Sequence, residues 1–201
     1  SRCYTPPPVQ AGVAPPLPGS GSPGPGPSGA ARPGVAGADA PVRALYRDMT
    51  ATPEAMARWF TAGYRALEAE CGRAQGLMAK RGLEDDAFGQ CGEDASSLCQ
   101  CQDMDDQVLR RTLALSAVPV SPGVARVEAR FRVFADGDPI TVPFRVVRTA
   151  QGWLIDDISH ASGEPGAPSG ERALFLQGIN TMRKTLRLAP MAAPPLTQPA
   201  G

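Results

Sequence analysis

The sequence predicts an α+β domain, with N-terminal helices packed on a curved antiparallel sheet and a C-terminal helix closing it. Apolar residues recur at three- and four-residue steps between Met56 and Met78, before any strong strand signal. Short stretches that alternate apolar and polar residues follow, separated by turn residues. A second helical stripe, Phe175, Ile179, Met182 and Leu186, comes after the last of them.

Two segments of little core-forming capacity flank the domain. Residues 1–38 are Pro, Gly, Ala and Ser with almost no large apolar side chain. Such a composition buries too little surface to offset its ordering entropy, so a disordered tether is expected. Residues 189–201 repeat it and are expected as a disordered tail. The stretch between them, 39–188, has the usual size of one domain with one core.

Within it, Asp39 is placed to cap a short helix through Met49, with Pro41 tolerated in the first turn. Thr52-Pro53 signals a second start, a capping hydroxyl followed by Pro at the first helical position. The helix it opens is the strongest of the chain, carrying Met56, Trp59, Phe60, Tyr64, Leu67, Cys71, Ala74 and Met78 on one stripe. The polar, acidic stretch from Gly82 to Asp106 reads as a long loop that needs stapling. Leu113–Val118 reads as a first strand, and Val127–Val133 as a half-buried antiparallel one. Asp136-Gly137 signals a tight turn. In the next strand, Ile140–Val146, Pro143 removes a ladder donor and so predicts an edge or a bulge. Val146–Ala150, a turn at Gln151-Gly152, and Trp153–Ile158 complete a meander. Ser169 is placed to cap the last helix, whose final turns carry Arg183, Lys184 and Arg187.

Charge and length exclude some classes of function. The chain holds 20 Lys and Arg against 20 Asp and Glu, so no global field favours nucleic acid or an anionic membrane. No apolar run approaches the roughly 20 residues of a membrane span. A start at Ser1 rather than Met is what removal of a signal peptide leaves.

Cys71, Cys91, Cys99 and Cys101 cluster, which predicts local disulfides and an oxidising compartment. Three complete pairings are open; Cys71 joined to one of the later three is favoured. Cys3 lies in the tether and is expected unpaired, and Arg2 before it argues against a lipidated first residue. Four thiolates also suit zinc, but the spacing lacks paired Cys-x-x-Cys knuckles. Asp103, Asp105 and Asp106 lack the loop Gly and distal Glu of a calcium site. No metal and no cofactor are expected.

Three stretches carry a resemblance: Val42-Arg43-Ala44-Leu45-Tyr46, Cys101-Gln102-Asp103, and Gly152-Trp153-Leu154-Ile155-Asp156-Asp157-Ile158. Together they resemble a bacterial domain family of unknown function within the nuclear-transport-factor-two-like superfamily, over roughly residues 38–188. The resemblance implies a cone-shaped α+β domain, often exported in Gram-negative bacteria, and no activity.

Two constellations are candidates for chemistry. The single histidine, His160, with Asp157 would make an acid/base pair at the cone mouth, since related cone-shaped folds host isomerases and dehydratases. The favoured structural reading leaves His160 at a strand end and puts Asp156 or Asp157 on nearby backbone amides. Tyr46, Trp59, Phe131, Phe144 and Trp153 are candidates to line an apolar pocket between the long helix and the concave sheet face, with a filled core as the alternative. No Gly-x-Ser-x-Gly, phosphate-binding Gly loop or His-Glu-x-x-His occurs. A non-enzymatic, exported and periplasmic module of the bacterial cell envelope is therefore expected, taking a small molecule or a protein partner. The alternatives are an isomerase- or dehydratase-like enzyme using Asp157 and His160, and a toxin-immunity protein acting through the acidic loop from Glu84 to Asp106. No oligomeric state follows from the sequence.

Overall fold

Four stretches form one curved sheet, and alternation of apolar and polar residues makes the two central ones bury one face. In the computed structural model, which describes residues 34–49, 52–92, 96, 98–99, 101–160 and 170–200, β1 (Ala114–Ser121), β2 (Val124–Arg132), β3 (Pro139–Thr149) and β4 (Gly152–Ile158) pair in the order β1-β2-β3-β4. Every pair is antiparallel. Helices precede the sheet and one follows it, so the class is α+β as expected. Residues 1–33, with Cys3, and the Ser169 cap lie outside the described residues.

The inward face of the sheet presents Val127, Ala129, Phe131, Val142, Phe144, Val146, Ile155 and Ile158, all buried. Three helices cover it. α1 (Ala40–Arg47) buries Val42, Leu45 and Tyr46; α3 (Ala62–Ala79) buries Tyr64, Leu67, Cys71 and Met78; α6 (Glu171–Thr185) buries Phe175, Ile179 and Met182. The Tyr46 ring packs 5.4 Å from Phe131 and 6.0 Å from Phe144, and its hydroxyl donates to the Leu98 carbonyl at 2.6 Å. Val35 and Ala38, expected within the tether, are buried in this core as well. Asp39 stands at the N-cap of α1, but its carboxylate accepts from Arg43 rather than from a backbone amide.

The long helix expected from Thr52 is two helices. α2 (Pro53–Ala57) starts on the Thr52 cap as expected and stops after five residues. At the break, Ile155 of β4 donates to the Trp59 carbonyl at 2.8 Å, and the Thr61 amide donates to the Ile155 carbonyl at 2.9 Å. The free edge of β4 thus takes backbone groups that a continuous helix would have used. Thr61 then restarts the helix, accepting from the Tyr64 amide at 3.3 Å. The expected long loop likewise holds a short helix, α4 (Glu84–Ala87), and a second, α5 (Asp106–Thr112), begins at its last residue. Asp105 caps α5, taking the amides of Gln107 and Val108 at 2.9 and 3.0 Å.

Pro143 was expected to mark an edge or a bulge: β3 is an interior strand, and its pairing with β4 carries a bulge two residues on. The Pro143 carbonyl accepts from Ser159 at 2.8 Å, just past the end of β4. Carbonyl and amide of one strand residue point to the same neighbour, so the missing donor falls where β4 has ended. Beside it the register shifts: Arg145 pairs with Asp157 and Val146 with Ile155, which leaves Asp156 as the extra residue of a bulge.

The bulge aims a fully buried carboxylate away from the apolar core. Asp156 accepts from the Thr61 hydroxyl at 2.8 Å, Arg145 Nη1 at 2.5 Å, Arg172 Nη1 at 3.4 Å and the Thr197 amide at 3.3 Å. Arg172 Nη2 donates onward to the carbonyls of Pro194 and Pro195, both at 3.0 Å. The segment 189–200, expected as a disordered tail, is therefore an extended strap along the domain. Asn180 holds Met191 through both its amide groups, and the Ala200 amide donates to Arg148. Composition misses this because the strap is held through its backbone, which Pro-rich sequence leaves accessible.

The four clustered cysteines form two disulfides. Cys71–Cys91 ties α3 to the segment after α4 across 20 residues, and Cys99–Cys101 closes a turn only 2 residues apart.

Two outcomes follow in urea unfolding. Asp156→Ala strands Arg172 among buried groups, so a loss of about 3–5 kcal/mol is expected. A loss under about 1 kcal/mol, the worth of an exposed ion pair, would show that the network holds little. Replacing both Cys71 and Cys91 by Ser should cost about 3 kcal/mol, and replacing both Cys99 and Cys101 about half of that, because the shorter loop removes less unfolded-state entropy. Equal costs would refute the loop-entropy account.

Candidate functional site

α2, the break after it, α3 and α6 leave a gap between them. The result is a cleft of about 390 Å³. α2 and the break supply Met56, Ala57 and Phe60 as one wall. α3 supplies Tyr64, Glu68, Gly72 and Gln75, spaced three or four residues apart and so on one helical face. α6 supplies Glu171 and Phe175, also four apart, while Leu45, Cys91 and Leu98 close the remaining sides.

Aromatic rings form its apolar surface. Phe60 and Tyr64 stack with ring centres 4.3 Å apart, and Phe175 meets Tyr64 edge-on at 5.7 Å. Gly72 keeps the α3 side shallow: a Cβ built there would meet no heavy atom within 4 Å. Glycine inside a helix costs about 1 kcal/mol relative to Ala. Nothing around Gly72 sterically requires it, so its structural effect is open space.

The electrostatics of the cleft are one-signed. Glu68 and Glu171 line it, and none of the described lining residues is Lys, Arg or His. Partial desolvation raises the Glu68 carboxyl above its usual value. The Tyr64 hydroxyl donates to Glu171 Oε2. Burial, then the charge of Glu171, pushes the Tyr64 phenol far above its usual range, so it remains a donor. The Cys71–Cys91 disulfide fixes one corner, since Cys91 is a wall residue and Cys71 lies in the core beneath.

None of the five aromatic residues expected to line a pocket lines this cleft. Tyr46, Phe131 and Phe144 are core, ring against ring. Trp59 carries the Arg58 guanidinium 4.8 Å above its ring, and the Trp153 indole donates to the Ala36 carbonyl at 3.1 Å.

Asp157 and His160 face different grooves. Asp157 borders one with Leu67, Arg172 and Leu176, under the strap residues Pro194 and Leu196. Its Oδ1 accepts from the Arg172 amide at 3.0 Å and the Ile158 amide at 2.9 Å, which caps α6 from a neighbouring strand. Gly170, the N-cap residue of α6, permits that approach, because a Cβ there would lie 2.3 Å from Asp157 Oδ2. Burial raises the Asp157 carboxyl, against the pull of those amides. His160 borders a separate groove with Gln90 and Gln177, its Nε2 buried without a hydrogen-bond partner. Burial holds its imidazole below the ordinary 6.5, outweighing the attraction of Asp157.

Asp105 and Asp106 also have structural work, the first capping α5 and the second paired with Arg110 at 3.3 Å. Among the described residues, no group of three or more His, Cys, Asp or Glu is placed to hold a metal ion. Among them, too, no helix is long and apolar enough to cross a membrane.

Neither a protein-family model nor a curated protein matches this chain. A solved structure described as the native type VI effector–immunity complex Tae3–Tai3 from Ralstonia pickettii matches with a TM-score of 0.40 and 18% identity, over 65% of this chain and 96% of that one. At that distance the likeness carries no argument about fold or role.

The position of His160 gives a pH signature. A depressed folded value means that protonation favours the unfolded chain. Its stabilising contribution is therefore present above 6.5 and is lost as the pH falls through the lower folded value. The gap in melting temperature between the native protein and His160→Gln should shift toward the variant on going from about pH 8 to about pH 5. A gap that stayed constant would refute the desolvated state of this imidazole.

Proposed function

We propose that this chain is an exported, non-enzymatic binding module of the bacterial cell envelope that takes a small ligand in the cleft between α2, α3 and α6. The observation that carries the reading is the cleft itself: an aromatic floor, a glycine that leaves it open, and acidic groups at its walls. Its volume falls within the range of small-molecule sites, as does its pattern of apolar surface with few polar groups.

The absence of enzymatic chemistry from the proposal rests on Asp157 and His160. A proton relay needs both within reach of one substrate. Here they border different grooves, and the Asp157 carboxylate is engaged by two backbone amides. Export is supported by the two disulfides, which persist in oxidising compartments. Membership of the cone-shaped superfamily suggested by the sequence motifs forms part of the same proposal, supported by helices that cover one face of a curved meander.

The test is a fragment library titrated into the isotopically labelled, disulfide-intact protein. Amide shifts are expected to converge on Phe60, Tyr64, Gly72 and Phe175. Gly72→Leu should abolish them without loss of stability, since it fills open space and favours helix. Shifts scattered over the surface, or unchanged in that variant, would refute the reading.

A further inference from the structure

We propose that the ligand of the α2–α3–α6 cleft is a small organic cation with an apolar body, an alkyl- or arylammonium compound. The inference rests on the binding reading above and narrows it to a chemical class.

Three ligand classes meet this cleft differently. An anion would be driven against Glu68 and Glu171, and none of the described lining residues is basic. A neutral apolar molecule would cover the ring surface of Phe60, Tyr64 and Phe175, but it would remove water from Glu68 and return no hydrogen bond. An ammonium group provides what is missing. It places a charged donor beside the Glu68 carboxylate, and a hydrogen bond between two ionised groups is the stronger kind. A bare divalent metal fits less well, since two carboxylates fall short of the six to eight oxygens that calcium takes.

The two carboxylates have distinct parts. Glu171 is held by the Tyr64 hydroxyl, which fixes a charge at the inner wall. Glu68 lies one helical turn from both Tyr64 and Gly72, exposed at the rim, where it meets an ammonium head while the apolar body lies over Gly72.

The experiment is calorimetric titration of the full, disulfide-intact chain with three probes of matched length: 4-phenylbutylamine, 4-phenylbutanol and 4-phenylbutyrate. The amine is expected to bind severalfold or more tightly than the other two; the alcohol can donate one neutral hydrogen bond to Glu68, so the difference reads the ammonium charge. Glu68→Gln should reduce that preference severalfold, while Gly72→Leu weakens amine and alcohol alike. Equal affinity for amine and alcohol, both lost in Gly72→Leu, would overturn the charge selectivity and leave the cleft as a binding site. An amine preference unchanged in Glu68→Gln would overturn the inference by placing the cation elsewhere. No binding of any probe would overturn it as well, and the fragment titration then decides separately whether the cleft binds at all.

Discussion

A carboxylate taken fully out of water costs several kcal/mol unless donors surround it. Asp156 is such a group, and its donors come from four parts of the chain: the cap of α3, strand β3, helix α6 and the C-terminal strap. One acceptor therefore sets the positions of all four relative to β4. The bulge at Arg145 and Val146 makes this possible, because regular pairing would give the extra residue no place. The cleft inherits its geometry from the same point. Thr61, fixed by Asp156, marks where α3 begins, and Arg172, also fixed by it, lies next to Glu171 on the opposite wall.

The strands and the closing helix were legible because their signals are local. Alternation in Val127–Val133 and Ile140–Val146 reports a half-buried strand whatever the partner. The break between α2 and α3 was not. Its apolar stripe continues through Trp59 and Phe60 at helical spacing, and the competing partner, the backbone of Ile155, lies almost a hundred residues away in sequence. Only the hydroxyl of Thr61, a second capping residue inside the stripe, marked the restart. Pro143 was legible in part: a lost donor predicts an edge or a bulge, and the bulge is there, but where the neighbouring strand ends is a tertiary fact. The strap was hidden for a related reason, since backbone carbonyls that receive an arginine leave no trace in side-chain composition.

The cleft was harder to read than the core. Tyr46, Phe131 and Phe144 point inward by simple periodicity, and periodicity does not separate a filled interior from a hollow one. What makes the cleft is a missing side chain at Gly72 and the break in the helix before Thr61. The first was visible as a helix-interior glycine, though nothing local distinguished it from Gly63 or Gly76. The carboxylates were visible as ordinary surface residues of two helices far apart in sequence.

The strap has a consequence for the order in which the molecule is made. Synthesis runs from the N-terminus, and the amide that completes the shell of Asp156 belongs to a residue 41 positions later. Until Thr197 is in place, and with it the carbonyls of Pro194 and Pro195, the pair of Asp156 and Arg172 is solvated and incompletely bonded. Helices α1 to α5 and the meander are all synthesised earlier, yet the fourth donor to their common acceptor comes only with the strap. A chain without the strap would carry every described helix and strand and keep the bonds from Thr61, Arg145 and Arg172, yet lack the one that ties Asp156 to Thr197.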